Sequence, residues 1–343
     1  MSRITPLVRP NIAALAPYST ARDEYDGPIG IFLDANESPY NNGYNRYPDP
    51  HQAELKSRIA PLKGIRTENL FLGNGSDEAI DLIFRIFCVP GKDNAVIMAP
   101  SYGMYGVAAA INDVAVHGVR LGEDFSLDTE ALFAACDERT KVMYLCSPNN
   151  PSGNAFPKEQ LLDICDRFPG ILVVDEAYVD FSAKGTLAKE AMERDNLVVL
   201  QTLSKARAMA GLRVGLAISS TEIIRLMSMV KYPYNLSRAA MEKALEFIGK
   251  PIDEEVATIV NERERLDSVL PRYPFIRTVF PSDANFILVR VDDADGLYDY
   301  LLGKGIIVRN RNRVPGCAGC LRLTVGLPAE NDALLQALDT YTV

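Results

Sequence analysis

The chain has 343 residues, of which 48% are hydrophobic, and its formal net charge is −9. A chain of this length can bury a substantial core, which we expect to be divided between two domains. The negative charge argues against a nucleic-acid partner, because phosphate backbones attract clustered Lys and Arg. No stretch approaches the length of a membrane span, and residues 1–6 lack the apolar region of a signal peptide. The sequence therefore predicts a cytoplasmic protein without a membrane partner.

Cysteine and histidine usage predicts no metal site. The six cysteines are scattered, and only Cys317 and Cys320 form a C-x-x-C pair. A zinc site would need further ligands of similar kind, and the chain has just two histidines, His51 and His117. We therefore expect reduced thiols. If the protein is an enzyme, Lys, Tyr or carboxylate side chains must move its protons.

A glycine turn at residues 72–78 is the first segment along the chain that is suited to binding a ligand. It precedes an apolar pattern with helical spacing. Glycine lets the backbone approach a ligand closely, and the free N–H groups at a helix start attract a phosphate. The alternative is structural, with Asp77 acting only as a helix cap.

The middle of the chain alternates continuous apolar runs with helical patterns such as residues 158–167. Continuous apolar runs are typical of strands that are buried on both faces of a mainly parallel sheet. The alternation predicts an α/β fold, a three-layer α/β/α sandwich. Its predicted strands include residues 94–98, 141–145, 171–174 and 197–200.

Polar residues directly follow three of these runs, at residues 147–153, 175–178 and 202–205. In open α/β sheets, ligands bind outside the carboxyl ends of the strands, so we expect these segments to form one site. Each has a plainer interpretation as well. Asn, Pro, Ser and Gly favour turns, Asp175 suits a cap or a surface charge, and Tyr178 suits a core position.

Lys205 is the candidate nucleophile of this site. It follows the apolar run 197–200, with Ser204 directly before it and Arg213 eight residues after it. Partial dehydration makes a lysine lose its proton more easily, and the neighbouring hydroxyls and guanidinium can hold a phosphate. The arrangement favours a Schiff-base lysine of a pyridoxal 5′-phosphate (PLP) enzyme. The alternative is a solvated surface lysine, which is the commoner case.

The pattern changes after residue 235. A long amphipathic helix is predicted over residues 253–270, and short strands are predicted at residues 285–289 and 321–325. These elements predict a smaller α+β domain. The predicted division of the chain is an N-terminal segment that packs with the small domain or forms a lid (1–30), a large PLP-binding domain (31–233) and a small C-terminal domain (234–343).

In their order and spacing, these motifs resemble those of the fold-type I PLP-dependent aminotransferases, and most closely the histidinol-phosphate aminotransferase family. The resemblance spans nearly the whole chain. It rests on residues 9–12, 17–18, 33–40, 45–50, 72–78, 100–105, 147–153, 175–178, 201–213, 282–286 and 319–326.

The resemblance implies the roles of the catalytic and cofactor-binding residues. Lys205 would carry PLP as a Schiff base and then transfer protons. Asp175 would pair with the pyridinium nitrogen, while Tyr178 and Asn150 would hold the phenolic oxygen. Tyr102 would stack on the cofactor ring. The residues implied to contact the cofactor phosphate are Gly75, Ser76, Asp77, Thr202, Ser204 and Arg213.

The resemblance also implies small-molecule substrates and a homodimer with a shared active site. Arg322 looks like the arginine that receives the carboxylate of glutamate. Tyr18, Asn36 and Arg309 fall where the family contacts the amino substrate and its phosphate. Tyr47 resembles a tyrosine that reaches across the dimer interface to the neighbouring cofactor phosphate.

Three features depart from the family pattern or stay open. Ser152 stands where Thr is usual, and Arg207 stands where an aromatic residue often packs near the lysine loop. The basic loop at residues 310–313 is either a solvated face or an added phosphate contact.

Three other functions share parts of this pattern. They are an aminotransferase for aromatic or other amino acids, a threonine-phosphate decarboxylase, and a PLP-sensing regulator without enzymatic activity. The regulator would need a DNA-binding module, and the residues before the glycine turn show neither a helix-turn-helix pattern nor a basic patch.

Overall fold

The computed structural model describes residues 3–20 and 30–342. The α-helices within these residues are α1 (Pro10–Ala13), α2 (Ala53–Leu62), α3 (Ser76–Phe87), α4 (Met104–Ile111), α5 (Thr129–Ala134), α6 (Lys158–Arg167), α7 (Ala188–Glu193), α8 (Thr221–Val230), α9 (Arg238–Ile248), α10 (Asp253–Val269), α11 (Ala294–Gly303) and α12 (Pro328–Asp339).

The strands form a large sheet and a small sheet. The large sheet has seven strands, and the small one has four. The strands of the large sheet are β1 (Leu70–Asn74), β2 (Asn94–Ala99), β3 (Ala115–Arg120), β4 (Thr140–Cys146), β5 (Ile171–Asp175), β6 (Leu197–Thr202) and β7 (Val214–Ile218). The strands of the small sheet are β8 (Ile276–Val279), β9 (Phe286–Val291), β10 (Arg309–Asn310) and β11 (Cys320–Thr324).

The large sheet confirms the predicted α/β fold class with a mainly parallel sheet. Its strand order is β1-β7-β6-β5-β4-β2-β3, and β7 alone runs antiparallel to its two neighbours. Strands β4, β5 and β6 are almost entirely buried, because helices such as α3, α6 and α7 pack against the sheet. Burial on both faces explains why these strands read as continuous apolar runs.

The direction of β7 decides which residues meet at the edge of the sheet. Strands β1, β4, β5 and β6 point the same way, so their carboxyl ends lie at one edge. Because β7 runs the other way, its first residues lie at that edge too. The register pairs Asn74 with Val214 and Thr202 with Gly215. Three loops that are distant in sequence therefore converge there.

The small sheet is antiparallel and has the order β10-β11-β9-β8. It forms a separate core with α10, α11 and α12, to which Leu266, Leu297 and Leu334 belong. The long helix predicted over residues 253–270 is α10, and the strands predicted near residues 287 and 323 are β9 and β11. This part of the chain has the predicted α+β character.

The described N-terminal residues pack against the large sheet rather than against the small one. Ile4 and Ile12 belong to the core of the large sheet, and Arg9 N donates to Ile86 O in α3 at 2.9 Å. Leu15, in contrast, is 41% exposed, and the packing of segment 1–30 with the small domain or as a lid stays a prediction. Residues 21–29 lie outside the described part.

Helix α9 also packs on the side of the large sheet. Met241, Ala244 and Ile248 share the core of that sheet, whereas the core of the small sheet begins at Leu266. The core of the large sheet therefore includes side chains as far along the chain as Ile248, and the division at residue 233 stays a prediction. No helix among residues 3–20 and 30–342 combines the length and the apolar character needed to cross a membrane.

Candidate active site

A cleft of about 520 Å³ opens at the edge where the carboxyl ends of β1, β5 and β6 meet. Most residues that the sequence singled out for the cofactor lie around it, although they come from segments up to 137 positions apart. The lining residues are Ser76, Asp77, Tyr102, Cys146, Asn150, Asp175, Ala177, Tyr178, Thr202, Ser204, Lys205 and Arg213.

Asp175 forms the floor of the cleft and is buried. Its Oδ2 accepts a hydrogen bond from Tyr105 Oη at 2.7 Å, and its Oδ1 accepts one from Ala177 N at 3.0 Å. Burial raises the pKa of Asp175 to about 6, although these two hydrogen bonds act in the opposite direction. A cationic nitrogen placed above the carboxylate would remove much of this desolvation cost.

Tyr105 is a site residue that sequence reasoning missed. It lies in α4 within the quoted run 100–105, and no local rule links it to Asp175, which is 70 residues away. Its ring is fully buried and stacks on Tyr144, with the ring centroids 5.0 Å apart. Only the packing of α4 against the large sheet reveals that its hydroxyl supports the floor of the cleft.

Lys205 lies on the loop that follows β6. Several hydrogen bonds fix this loop, including Leu203 N to Val214 O at 3.0 Å and Ala208 N to Lys205 O at 3.0 Å. The Lys205 Nζ lies 5.4 Å from the centroid of the Tyr178 ring. Desolvation lowers the pKa of Lys205, and the Arg322 guanidinium adds to this effect. The amine is thereby made easier to deprotonate, as a nucleophile requires.

Asn150 is held in one orientation by Arg322. Arg322 Nη1 donates to Asn150 Oδ1 at 2.5 Å, and the Arg322 guanidinium lies over the Phe286 ring at 5.1 Å. Because the amide oxygen is engaged, the amide nitrogen is left to donate into the cleft. Tyr178 packs edge-on against Phe286, and burial raises the pKa of Tyr178. Two hydrogen-bond donors therefore face the cleft from this side.

The turn that carries Asn150 accommodates Ser152 in place of the usual Thr. Asn149 Nδ2 donates to Ser152 Oγ at 2.7 Å and to Pro100 O at 3.1 Å. The Ser152 hydroxyl in turn donates to Asn154 Oδ1 at 2.6 Å. The hydroxyl alone makes these contacts, which explains why the missing methyl group leaves the turn intact.

The start of α3 forms an anion cradle with Arg213. No side chain caps this helix, so its first N–H groups are available to a ligand. A Cβ on Gly75 would lie 2.4 Å from Arg213 Nη2, and one on Gly215 would lie 2.0 Å from Ser76 N. Any larger residue at either position would therefore fill the cradle or displace the arginine. With Thr202 and Ser204 beside it, the cradle suits a phosphate monoester.

Asp77 and Tyr102 form one side of this cradle. Tyr102 Oη donates to Asp77 Oδ1 at 3.1 Å, and Arg213 Nη2 approaches Asp77 Oδ2 at 3.5 Å. Burial and the Asp77 carboxylate raise the pKa of Tyr102, so its hydroxyl stays protonated. These contacts orient the Tyr102 ring at the cleft wall.

None of the five residues that the resemblance assigned to the substrate or the partner site is among the lining residues, although Arg322 contacts one of them, Asn150. Tyr18 is 74% exposed and Tyr47 is 52% exposed. The ring of Tyr47 stacks on Tyr234 at 4.4 Å, and the same groove includes Asn36. Arg309 is exposed on β10, where it lies opposite Arg322.

Arg207 donates to two backbone carbonyls at the end of α9. The distances from its Nη1 are 3.1 Å to Ile248 O and 2.8 Å to Lys250 O. The side chain that replaces the family's aromatic residue therefore ties the lysine loop to the end of α9.

Cys317 and Cys320 are buried free thiols. Burial raises the pKa of Cys317 to about 12, which disfavours a reactive thiolate. Among the described residues, no group of three or more His, Cys, Asp or Glu side chains is placed to hold a metal ion.

Comparisons with known proteins show the family of this chain. Residues 28–338 match the family model of the class I and II aminotransferases. A histidinol-phosphate aminotransferase from Parabacteroides distasonis is 53% identical over 98% of this chain and 99% of its own length. One from Bacteroides fragilis is 48% identical over 99% of this chain and 100% of its own length. The crystal structure of the Sinorhizobium meliloti histidinol-phosphate aminotransferase in complex with PLP superposes with a TM-score of 0.78. It is 25% identical and covers 85% of this chain and 82% of its own.

Proposed function

Because the chain belongs to the class I and II aminotransferase family, we propose that it transfers an amino group between L-histidinol phosphate and 2-oxoglutarate. The products are imidazole acetol phosphate and L-glutamate, and the reaction is a step of histidine biosynthesis. The observation that carries the proposal is the cleft itself, which brings Lys205, Asp175 and Asn150 together beside a phosphate cradle. The high identity over the full chain supports the choice of substrate.

The residues around the cleft fit PLP as the cofactor. The cradle at Gly75, Ser76 and Arg213 would hold its phosphate, with the hydroxyls of Thr202 and Ser204. Asp175 would hold the ring nitrogen in its protonated form. When bound, PLP supplies an electron sink for the charge that develops on the substrate Cα.

The donors on the opposite side of the cleft would hold the phenolic oxygen of the cofactor. Asn150 presents its amide nitrogen there because Arg322 occupies its amide oxygen. Tyr178 presents a hydroxyl that burial keeps protonated. Tyr102 would cover the ring from the cleft wall.

Lys205 would bind the cofactor covalently and move protons. Its lowered pKa lets Nζ accept a proton from the substrate Cα and later return one. Arg322 would receive the carboxylate of glutamate. Its Nε is buried and has no hydrogen-bond partner among the described residues, so a substrate oxygen is a suitable acceptor.

We also propose that the protein acts as a homodimer. Tyr18, Asn36 and Tyr47, which we call the rim residues, would then contact the active site of the neighbouring chain. Tyr18, Asn36 and Tyr47 lie outside the cleft of their own chain, and the apolar side chains Ile31 and Leu33 are 90% and 88% exposed. A second copy of the chain would cover this surface and bring Tyr47 towards the other cofactor phosphate. Sedimentation equilibrium tests this point, and a monomer that is fully active would contradict it.

An absorption experiment tests the cofactor and the first half of the reaction. The protein loaded with PLP should show a visible band that shifts towards the ultraviolet when glutamate is added. Borohydride reduction followed by peptide mapping should place the label on Lys205. A label at another residue would refute the assignment of the nucleophile.

A second assay tests the substrate. Amino transfer from glutamate to imidazole acetol phosphate should far exceed transfer to phenylpyruvate. A preference for phenylpyruvate would indicate an aromatic aminotransferase instead. Carbon dioxide release from threonine phosphate without any requirement for a keto acid would indicate a decarboxylase.

A further inference from the structure

Glu176 carries a buried carboxyl group that the reaction described above does not use. It directly follows Asp175 and is 3% exposed. Glu176 N donates to Leu200 O at 2.8 Å, so the chain is still paired with β6 one residue beyond the end of β5. Side chains alternate between the two faces along a strand. The Glu176 side chain therefore lies on the face of the sheet opposite to that of Asp175.

Three neutral donors surround the carboxyl group of Glu176. Thr186 Oγ1 donates to its Oε2 at 2.5 Å, Gln201 Nε2 donates to the same oxygen at 3.0 Å, and Leu187 N donates to Oε1 at 2.7 Å. Burial raises the pKa of Glu176 to about 7, and each of these hydrogen bonds acts in the opposite direction. Because a buried carboxyl group is costly without its donors, the group holds these three partners together.

The hydrogen bond between Glu176 and Gln201 connects the two strands that lead to Asp175 and Lys205. Gln201 is in β6, four residues before Lys205. Thr186 adds a second connection, because its hydroxyl oxygen also accepts from Gln201 Nε2 at 3.1 Å. The end of β5 and the end of β6 are therefore joined by side chains on the face of the sheet behind the cleft.

We propose that Glu176 is a positioning residue that fixes the carboxylate of Asp175 relative to the amine of Lys205. This inference rests on the proposed function, in which the two groups serve the same cofactor. Asp175 would pair with the ring nitrogen, while Lys205 would move protons at the substrate Cα. A displacement of about 1 Å between groups that act together can cost about 100-fold in rate. A connection between the ends of β5 and β6 therefore contributes directly to the reaction.

The test compares Glu176→Ala with Asn196→Ala, which removes buried hydrogen bonds at the opposite end of the same two strands. Asn196 directly precedes β6, and its Nδ2 donates at 3.0–3.1 Å to Cys165 O, Phe168 O and Gly170 O. Both variants should unfold at lower urea concentrations than the wild type. Only Glu176→Ala should lower kcat, by about 10-fold to 100-fold. Its KM for glutamate should change less than about twofold, because Arg322 stays in place.

Two further variants distinguish loss of this connection from general loss of folding. Gln201 Oε1 is buried and has no hydrogen-bond partner among the described residues, so a turned Gln201 amide can accept from an amide at position 176. Glu176→Gln should therefore retain at least about a third of the wild-type kcat. Gln201→Leu removes the connection from the β6 side and should lower kcat about 3-fold to 10-fold. This variant decides the proposal if Glu176→Ala does not fold.

Amide hydrogen exchange provides a readout that requires neither substrate nor cofactor. The backbone hydrogen bonds of residues 203–209 hold the loop of Lys205. Their amides should exchange about tenfold faster in Glu176→Ala and in Gln201→Leu than in the wild type or in Asn196→Ala. If the wild type fails to bind PLP or to transfer amino groups, the proposed function fails, and the exchange rates still decide the role of Glu176. If Glu176→Ala and Asn196→Ala match in exchange rates and in kcat, the inference about Glu176 fails alone.

Discussion

The floor of the cleft, at Asp175 and Asn150, and the rim residues differ in their contacts. The side chains of the floor are held in place by other residues of the same chain, and those of the rim are not. At the floor, Asp175 accepts a hydrogen bond from Tyr105 in α4, and Asn150 accepts one from Arg322 in the small sheet. Both supported side chains are buried. Each functional group is thus held by a residue from a distant part of the same chain.

The rim lacks such support. Tyr18 and Tyr47 are 74% and 52% exposed, and Asn36 lies in a groove outside the cleft. The difference teaches that the groups proposed to perform the chemistry are preorganised within one chain, whereas the proposed rim contacts need a second copy to reach a site. Substitutions at the floor should therefore have larger effects than substitutions at the rim.

The largest effect is expected for Lys205→Ala. Without the amine, neither covalent attachment of the cofactor nor proton transfer at the substrate Cα can proceed, and transamination should fall at least about 10³-fold. Steady-state assays measure this loss, and circular dichroism should show an intact fold. Lys92→Ala, at an exposed lysine, serves as the control and should retain full activity. A Lys205→Ala enzyme with more than a tenth of wild-type activity would remove the basis of the mechanism.

Asp175→Asn should raise the stability of the protein and lower its activity. Burial raises the pKa of Asp175 from 3.8 to about 6. The folded protein therefore retains a proton that the unfolded chain releases between these values. Stability is thus lost as the pH rises from about 4 to 6. The difference between the two pKa values corresponds to about 3 kcal/mol in the free energy of unfolding.

Without cofactor, the D175N protein should thus gain about 3 kcal/mol relative to the wild type between pH 4 and pH 7. Its transamination at pH 7 should nevertheless fall about 100-fold, because the ring nitrogen loses its anionic partner. Denaturant unfolding at several pH values measures the first effect. A free-energy difference between the two proteins that is independent of pH would show that the buried carboxyl is not destabilised by its surroundings.

Tyr105→Phe should have a smaller effect on the same group. The change removes the hydroxyl that lies 2.7 Å from Asp175 Oδ2, so the pKa of Asp175 should rise further. We expect kcat to fall about tenfold, and the acid limb of its pH profile to move upward by about one pH unit. Tyr144→Phe is a matched control, because it removes a buried hydroxyl that binds Ile80 O at 3.0 Å. Both variants should lose about 1–2 kcal/mol of stability, and identical pH profiles would contradict the role of Tyr105.

The smallest effect is expected at the rim. Tyr47→Phe should weaken PLP binding by about 3-fold to 10-fold through the loss of one hydrogen bond to the partner's cofactor. Cofactor titration of the dimer measures this change. Tyr44→Phe, at a neighbouring exposed tyrosine, should leave the affinity unchanged. If both variants bind PLP as the wild type does, Tyr47 does not contact the cofactor.

Much of the floor could be predicted from sequence because its residues directly follow buried strands. Continuous apolar runs marked β4, β5 and β6, and the parallel arrangement then placed Asp175 and Lys205 at one edge. The reversed direction of β7 could not be predicted, since its run Val214–Ile218 is as apolar as its neighbours. Tyr105 was missed because a hydrogen bond across 70 residues leaves no local pattern. The rim depends on contacts that a single chain does not make.

The side chain of Arg207 has a mechanical consequence. Its hydrogen bond to Lys250 O connects the loop of Lys205 to the linker at residues 249–252, which leads from α9 into α10. Because one guanidinium nitrogen binds carbonyls on both sides of the end of α9, any displacement of the linker relative to the loop of Lys205 would break at least one of these two hydrogen bonds.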